Sequence, residues 1–146
     1  MHHVQPQFPE QTLHVLTSDA DETMLQRAKR ARYPASSLKD VPANWKQSAF
    51  VCSNGEYQLA EQFRGLVRFR QAAIRVDTPA ESFALILCRN LVFTYFDEPL
   101  QRQVLAALSE RLLPGGSLVI GKHESLPANT TGLGPDPARL GFFLRA

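Results

Sequence analysis

The sequence predicts a mixed α/β fold, and three observations carry that prediction. Phe83-Ala84-Leu85-Ile86-Leu87-Cys88 is continuously apolar, as a parallel strand buried on both faces would be. Leu100, Val104, Leu105, Leu108 and Leu112 follow it at helical spacing, with Asp97 placed as a cap and Pro99 in the first turn. Ser117-Leu118-Val119-Ile120-Gly121 then reads as a second strand, reached through Pro114-Gly115-Gly116, which ends the helix. Strand, helix, strand is a βαβ unit of right-handed crossover.

Composition narrows the class. A chain of 146 residues, 44% hydrophobic, supports one core of moderate size rather than two domains. Sixteen basic residues against 14 acidic ones give a net charge of +2, too even to argue for nucleic acid or an anionic membrane as partner. No apolar run exceeds six residues, which is far short of a spanning helix and argues against membrane insertion. Met1-His2-His3-Val4-Gln5-Pro6 has neither a basic nor an apolar signal region, so no secretory leader is read there. Cys52 and Cys88 lie far apart without a CxxC, as free thiols of a reducing compartment do, and the expected location is cytoplasmic.

The elements before the βαβ unit follow in order. Leu13 to Thr17 reads as a strand, with the acidic run Ser18-Asp19-Ala20-Asp21-Glu22 at its end. A helix is expected from Asp21 to Arg32, with Met24, Leu25, Ala28 and Ala31 on its apolar side. Acid at its start and Arg27, Lys29, Arg30 and Arg32 at its end suit the helix dipole, and Pro34 is the expected stop. Residues 35–69 read as a small antiparallel insertion. In it Phe50-Val51-Cys52 and Tyr57-Gln58-Leu59 flank Ser53-Asn54-Gly55-Glu56, and Asn-Gly between short apolar runs signals a hairpin. Leu66-Val67-Arg68-Phe69 either extends that hairpin or returns the chain to a main sheet. After a loose segment, Gly141 to Arg145 reads as a last edge strand.

Ligands of open α/β sheets bind beyond the carboxyl ends of the strands. Three such ends carry polar residues: Ser18-Asp19, Arg89-Asn90 and Lys122-His123-Glu124. If the strands are parallel, the three share one rim. Asp19 reads either as an acid that accepts from a ribose diol or as the cap of the next helix. No glycine precedes Gly55, so the glycine-rich turn of a nicotinamide-dinucleotide binder is absent and that class is disfavoured. His2, His3, His14 and His123 show no zinc spacing, and adjacent His123-Glu124-Ser125 lacks the geometry of a triad.

Cys88-Arg89-Asn90-Leu91 followed by Tyr95-Phe96-Asp97, then Leu113-Pro114-Gly115-Gly116 and Gly121-Lys122-His123-Glu124-Ser125-Leu126, resembles the CheR-type chemotaxis receptor methyltransferases. These are S-adenosylmethionine-dependent enzymes that esterify glutamate side chains. Thr17-Ser18-Asp19-Ala20-Asp21 matches the acidic motif ending their second strand, and residues 35–69 are similar to their small antiparallel subdomain. The resemblance runs from about residue 13 to the C-terminus. It implies an incomplete Rossmann-like class I methyltransferase sheet with a small antiparallel β insertion, the chain being the C-terminal portion of a methyltransferase domain without its glycine-rich cofactor loop. It implies S-adenosyl-L-methionine as cofactor and an acidic protein substrate such as a chemoreceptor. Carried over by position, Asp19 holds the cofactor ribose, Cys88 and Arg89 line the cofactor through backbone and stem, and Tyr95 orients the acceptor.

This sequence also departs from the family pattern. Leu91, Val92, Phe93 and Thr94 separate Asn90 from Tyr95 where the family has three residues. Ala73 stands where asparagine is common, and Lys122-His123 replaces a His-Ser pair. The family's first strand, between those ending at Asp19 and Cys88, has no counterpart. That predicts open strand edges, self-association and little activity for the isolated chain. A rival reading is a non-catalytic remnant that acts as a protein-interaction module through its hairpin. Taken singly, Tyr95 and Phe96 also read as core aromatics, Cys88 as a small buried hydrophobe, and Arg89 as an ion-pair partner of Glu124 or Asp97.

Overall fold

Val15–Asp19 forms the first strand, β1, in the computed structural model, which describes residues 10–146. The strand starts two residues later than Leu13 and ends on the acid itself. Met1 to Pro6, with His2 and His3, lie outside the described residues. The chain divides after Ala73 into two compact units, where composition argued for one core.

In the first unit, α1 (Glu22–Arg30) begins where the Asp21 carboxylate accepts the Thr23 N–H at 2.7 Å. It ends short of the expected Arg32, because Ala31 takes a left-handed conformation, φ 50°, and its N–H returns to the Ala28 carbonyl. Pro34 is therefore not the stop. It lies in β2 (Arg32–Pro34), an outer strand where the missing N–H costs no ladder bond. A 3₁₀ turn (Ala35–Leu38) and α2 (Ala43–Ala49) lead into β3 (Phe50–Ser53) and β4 (Glu56–Leu59). Asn54 and Gly55 both have positive φ, 53° and 78°, which makes the two-residue hairpin turn that Asn-Gly favours. The antiparallel sheet has the order β2-β4-β3, so it starts at Arg32 rather than residue 35. After α3 (Glu61–Arg64), β5 (Val67–Gln71) leaves that sheet and pairs in parallel with β1, placing Gln71 opposite Asp19. Of the two courses open to Leu66–Phe69, the chain takes the return.

The second unit is built on β6 (Phe83–Leu87), α4 (Val92–Tyr95), α5 (Glu98–Arg111), β7 (Leu112–Val119), β8 (Leu133–Pro135) and β9 (Phe142–Arg145). Its sheet has the order β6-β7-β9-β8, with β6 and β7 parallel across α5 and the other pairs antiparallel. This is the expected βαβ unit. The Asp97 carboxylate caps α5 by accepting the Leu100 N–H at 3.0 Å, with Pro99 in the first turn. Val104, Leu105 and Leu108 pack into a core with Val92, Leu118 and Ile120.

Three expectations change here. Pro114-Gly115-Gly116 does not end the helix but lies inside β7, whose pairing jumps from Phe83 opposite Leu112 to Leu85 opposite Ser117. The intervening bulge needs its glycines: Gly115 has φ 73°, and a Cβ on Gly116 would sit 2.8 Å from the Leu113 carbonyl oxygen. Secondly, β9 is an interior strand; the outer one is β8, inside the stretch read as loose. Thirdly, β6 is not buried on both faces. Ile86 packs on the core, while Leu85 is 52% and Leu87 66% exposed.

Candidate functional site

The chain leaves β6 through Cys88, buried in the core, whose N–H donates to the Val119 carbonyl at 2.9 Å. Burial pushes the Cys88 thiol up to about 11, the nearby Glu124 charge adds to this, and a bond from the Val92 amide opposes it. The thiol is neutral, and as a side chain it behaves as a small hydrophobe. Arg89 follows it, exposed, and then Asn90 in the left-handed region, φ 54°.

That irregular turn is held from a distance. Glu124 Oε2 accepts the backbone N–H of Asn90 at 2.8 Å and of Gly121 at 2.6 Å. Its Oε1 accepts the Leu91 N–H at 3.2 Å and the Thr94 hydroxyl at 2.6 Å. Glu124 thus pairs with backbone and a hydroxyl, Asp97 caps α5, and Arg89 makes no ion pair among the described residues. The ion-pair reading of Arg89 is corrected accordingly. Tyr95, at the end of α4, is 75% exposed, so it is not a core aromatic; Phe96 beside it does pack against the core.

Glu124 titrates below the ordinary glutamate value. Partial burial pushes it up, but the Thr94 hydroxyl and the amides of Asn90, Gly121 and Leu91 together outweigh that. A carboxyl whose folded-state pKa is depressed stabilises the fold above its unfolded value, and the contribution disappears as pH falls through the folded value. The stability difference between the parent chain and Glu124→Gln is expected to be largest near neutral pH and to shrink on acidification. Thermal melts across that range check it, and a difference independent of pH would refute the charged clip.

Asp19 belongs to the first unit, exposed at the carboxyl end of β1. Its Oδ1 accepts the Asp21 N–H at 2.9 Å, and its carbonyl accepts the Ala72 N–H at 3.0 Å. The helix cap is Asp21, not Asp19, so the cap reading of Asp19 does not hold. Lys122 and His123 are exposed. Thr94 and Gly121 were not singled out as site residues; only Glu124's place at a strand end pointed toward them. No group of three or more His, Cys, Asp or Glu fit to hold a metal occurs among the described residues. Nor does any helix there have the length and apolarity to cross a membrane.

Both units are mixed α/β, with exposed polar residues at the end of β1 and just past β6. The family model for the CheR methyltransferase, SAM binding domain, matches residues 1–137, and the chain belongs to that family. It is 31% identical to chemotaxis protein methyltransferase 2 of Vibrio cholerae serotype O1, over 83% of this chain and 43% of that relative. It is 30% identical to the probable biofilm formation methyltransferase WspC of Pseudomonas aeruginosa, over 87% of this chain and 31% of that one. The chain therefore spans less than half the length of these curated relatives. Among solved structures, the N-methyltransferase NodS from Bradyrhizobium japonicum WM9 aligns at 17% identity with a TM-score of 0.44, over 73% of this chain and 44% of that one.

Proposed function

We propose that this chain serves the S-adenosylmethionine-dependent transfer of a methyl group to a glutamate carboxylate of an acidic protein substrate, such as a cytoplasmic chemoreceptor region. The observation that carries the reading is the state of the residues matching the family motifs. Asp19 at the end of β1, Arg89 just past β6 and Tyr95 at the end of α4 are exposed polar side chains, and among the described residues none is spent on a helix cap, an ion pair or the core.

Each assigned residue, taken within its own unit, has chemistry that the cofactor can use. Asp19 gives up one oxygen to the Asp21 amide and keeps the other for a hydroxyl of a ribose diol. Cys88, neutral and buried, contributes backbone and volume rather than nucleophilicity. Arg89 offers its stem and backbone at the same turn. S-adenosylmethionine, when bound, supplies a methyl activated by a positive sulfur. A glutamate acceptor is already ionised at neutral pH, so the chain needs no general base. What its residues contribute is alignment and exclusion of water, worth up to roughly 7–11 kcal/mol in ideal intramolecular systems. Tyr95, exposed beside the anchored turn, is the residue assigned to orient the acceptor.

Calorimetric titration with S-adenosylmethionine, together with methyl transfer from labelled cofactor to a chemoreceptor fragment, tests the reading. Saturable binding and labelled glutamate ester are expected; absence of both leaves the interaction-module reading. Asp19→Ala is expected to weaken cofactor binding by roughly 1.5–3 kcal/mol through loss of charge-assisted hydrogen bonds. Unchanged affinity in the same titration would remove Asp19 from the site. Tyr95→Phe is expected to lower the transfer rate more than the affinity for cofactor, because a hydroxyl on the acceptor side acts on the transition state. Equal rates for the two proteins would strip Tyr95 of that role.

A further inference from the structure

We propose that Glu124 is a positioning residue for this chemistry: its carboxylate ties the Arg89–Leu91 turn and the helix bearing Tyr95 to the end of β7. The inference rests on the methyl-transfer reading and extends it to residues that never touch the cofactor.

The argument starts from what the turn lacks. Asn90 is left-handed, and Leu91, at φ −140° and ψ −82°, starts α4 without any side-chain cap of its own. Free amides at such a point need an acceptor, and the local sequence provides none. Glu124 provides it from just past the end of the neighbouring strand β7, with one oxygen shared between Asn90 and Gly121 and the other between Leu91 and Thr94. Gly121 follows directly on the buried Ile120, just past the end of β7, so the carboxylate is anchored beside the packed core.

The two gripped segments are the two that carry assigned side chains. Arg89 directly precedes Asn90, and Tyr95 directly follows Thr94. With Tyr95 exposed, its direction depends on the backbone of α4. Val92 and Phe93 fix that helix on the core side, and the Thr94 hydroxyl fixes it through Glu124. Loss of the Thr94 bond should let Tyr95 shift while leaving the Asn90 and Leu91 contacts in place. Loss of the carboxylate should disturb both segments. A displacement of about 1 Å from the reacting geometry can cost on the order of a hundredfold in rate.

Thr94→Val removes the hydroxyl at constant shape, and because Thr94 is exposed the fold tolerates it. Thr94→Ser retains the hydroxyl. Both are made, with Glu124→Gln, in the full polypeptide encoded by the gene. Cofactor affinity is read by calorimetry with S-adenosylmethionine, and kcat with a chemoreceptor fragment is normalised to folded protein. The expected result for Thr94→Val is a fall in kcat of roughly tenfold with cofactor Kd within about twofold, rescued by Thr94→Ser. Glu124→Gln should lower kcat and weaken cofactor binding together. Variants that lose thermal stability while their folded fraction keeps parental kcat and Kd would overturn the proposal alone, reducing Glu124 to a fold anchor. A parent protein that neither binds S-adenosylmethionine nor transfers methyl would overturn the underlying reading and the proposal with it.

Discussion

Gly121→Ala is expected to lower the thermal midpoint by more than about 10 °C, although alanine is the smallest change available there. The Gly121 N–H donates to Glu124 Oε2 at 2.6 Å. A Cβ on Gly121 would lie 2.7 Å from that same oxygen, 3.2 Å from Glu124 Cδ, and against Asn90 Oδ1. A flexible side-chain tip usually moves aside at little cost. This one cannot, because moving it breaks its bonds to Asn90, Leu91 and Thr94 as well. Losing two or three hydrogen bonds to a charged acceptor, with the turn still partly closed to water, amounts to roughly 2–4 kcal/mol. At about 4–8 °C per kcal/mol for a unit of this size, the expected shift follows. Circular dichroism melts measure it. A midpoint within a degree or two of the parent would mean that Glu124 relocates freely and that the turn needs no clip.

The parts of the fold that were legible are those whose cause is local. Asn54-Gly55 dictates its turn from two residues, and Asp97 with Pro99 marks the start of α5 from three. The apolar stripe of α5 and the strand that follows it are likewise written within one stretch of chain. What escaped depends on partners far away in sequence. Ala31 ends α1 in a left-handed turn whose carbonyl accepts the Leu59 N–H at 3.0 Å, a bond invisible until β4 is in place. The Pro-Gly-Gly bulge follows from the pairing of β6 with β7, and the interior place of β9 from its pairing with β8. At the candidate site the division is the same. Asp19 and Tyr95 were singled out by motif alone, whereas the four bonds of Glu124 require knowing that residue 124 faces residues 90 to 94. Asp19 and Asp21 illustrate the limit most closely. Two acids separated by one alanine read alike, and only the structure gives the helix cap to Asp21 and not to Asp19.

The 146-residue chain is expected to self-associate through the exposed face and open edge of β6, and Leu85→Lys with Leu87→Lys is expected to return it to a monomer. Leu85 and Leu87 alternate along β6 and so share one face, 52% and 66% exposed. Ser117 lies opposite Leu85 and Leu144 opposite Ser117, so Leu144, 37% exposed, continues the same face two strands over. Among the described residues β6 has a strand partner on one edge only, β7. An unpaired edge beside exposed leucines offers a second chain both backbone hydrogen bonds and apolar burial. Fully burying a leucine is worth roughly 1.5–3 kcal/mol, so the half-exposed pair contributes about 2–3 kcal/mol from each partner. Lysine at both positions removes that gain and sets like charges against each other, which is how natural edge strands avoid pairing. Since both side chains already face solvent, the double substitution should leave the core and the thermal midpoint nearly unchanged. Sedimentation velocity across a concentration series distinguishes the outcomes. Concentration-dependent dimers or larger species that vanish in the double variant are expected, and a parent chain that stays monomeric throughout would show that the edge of β6 is harmless.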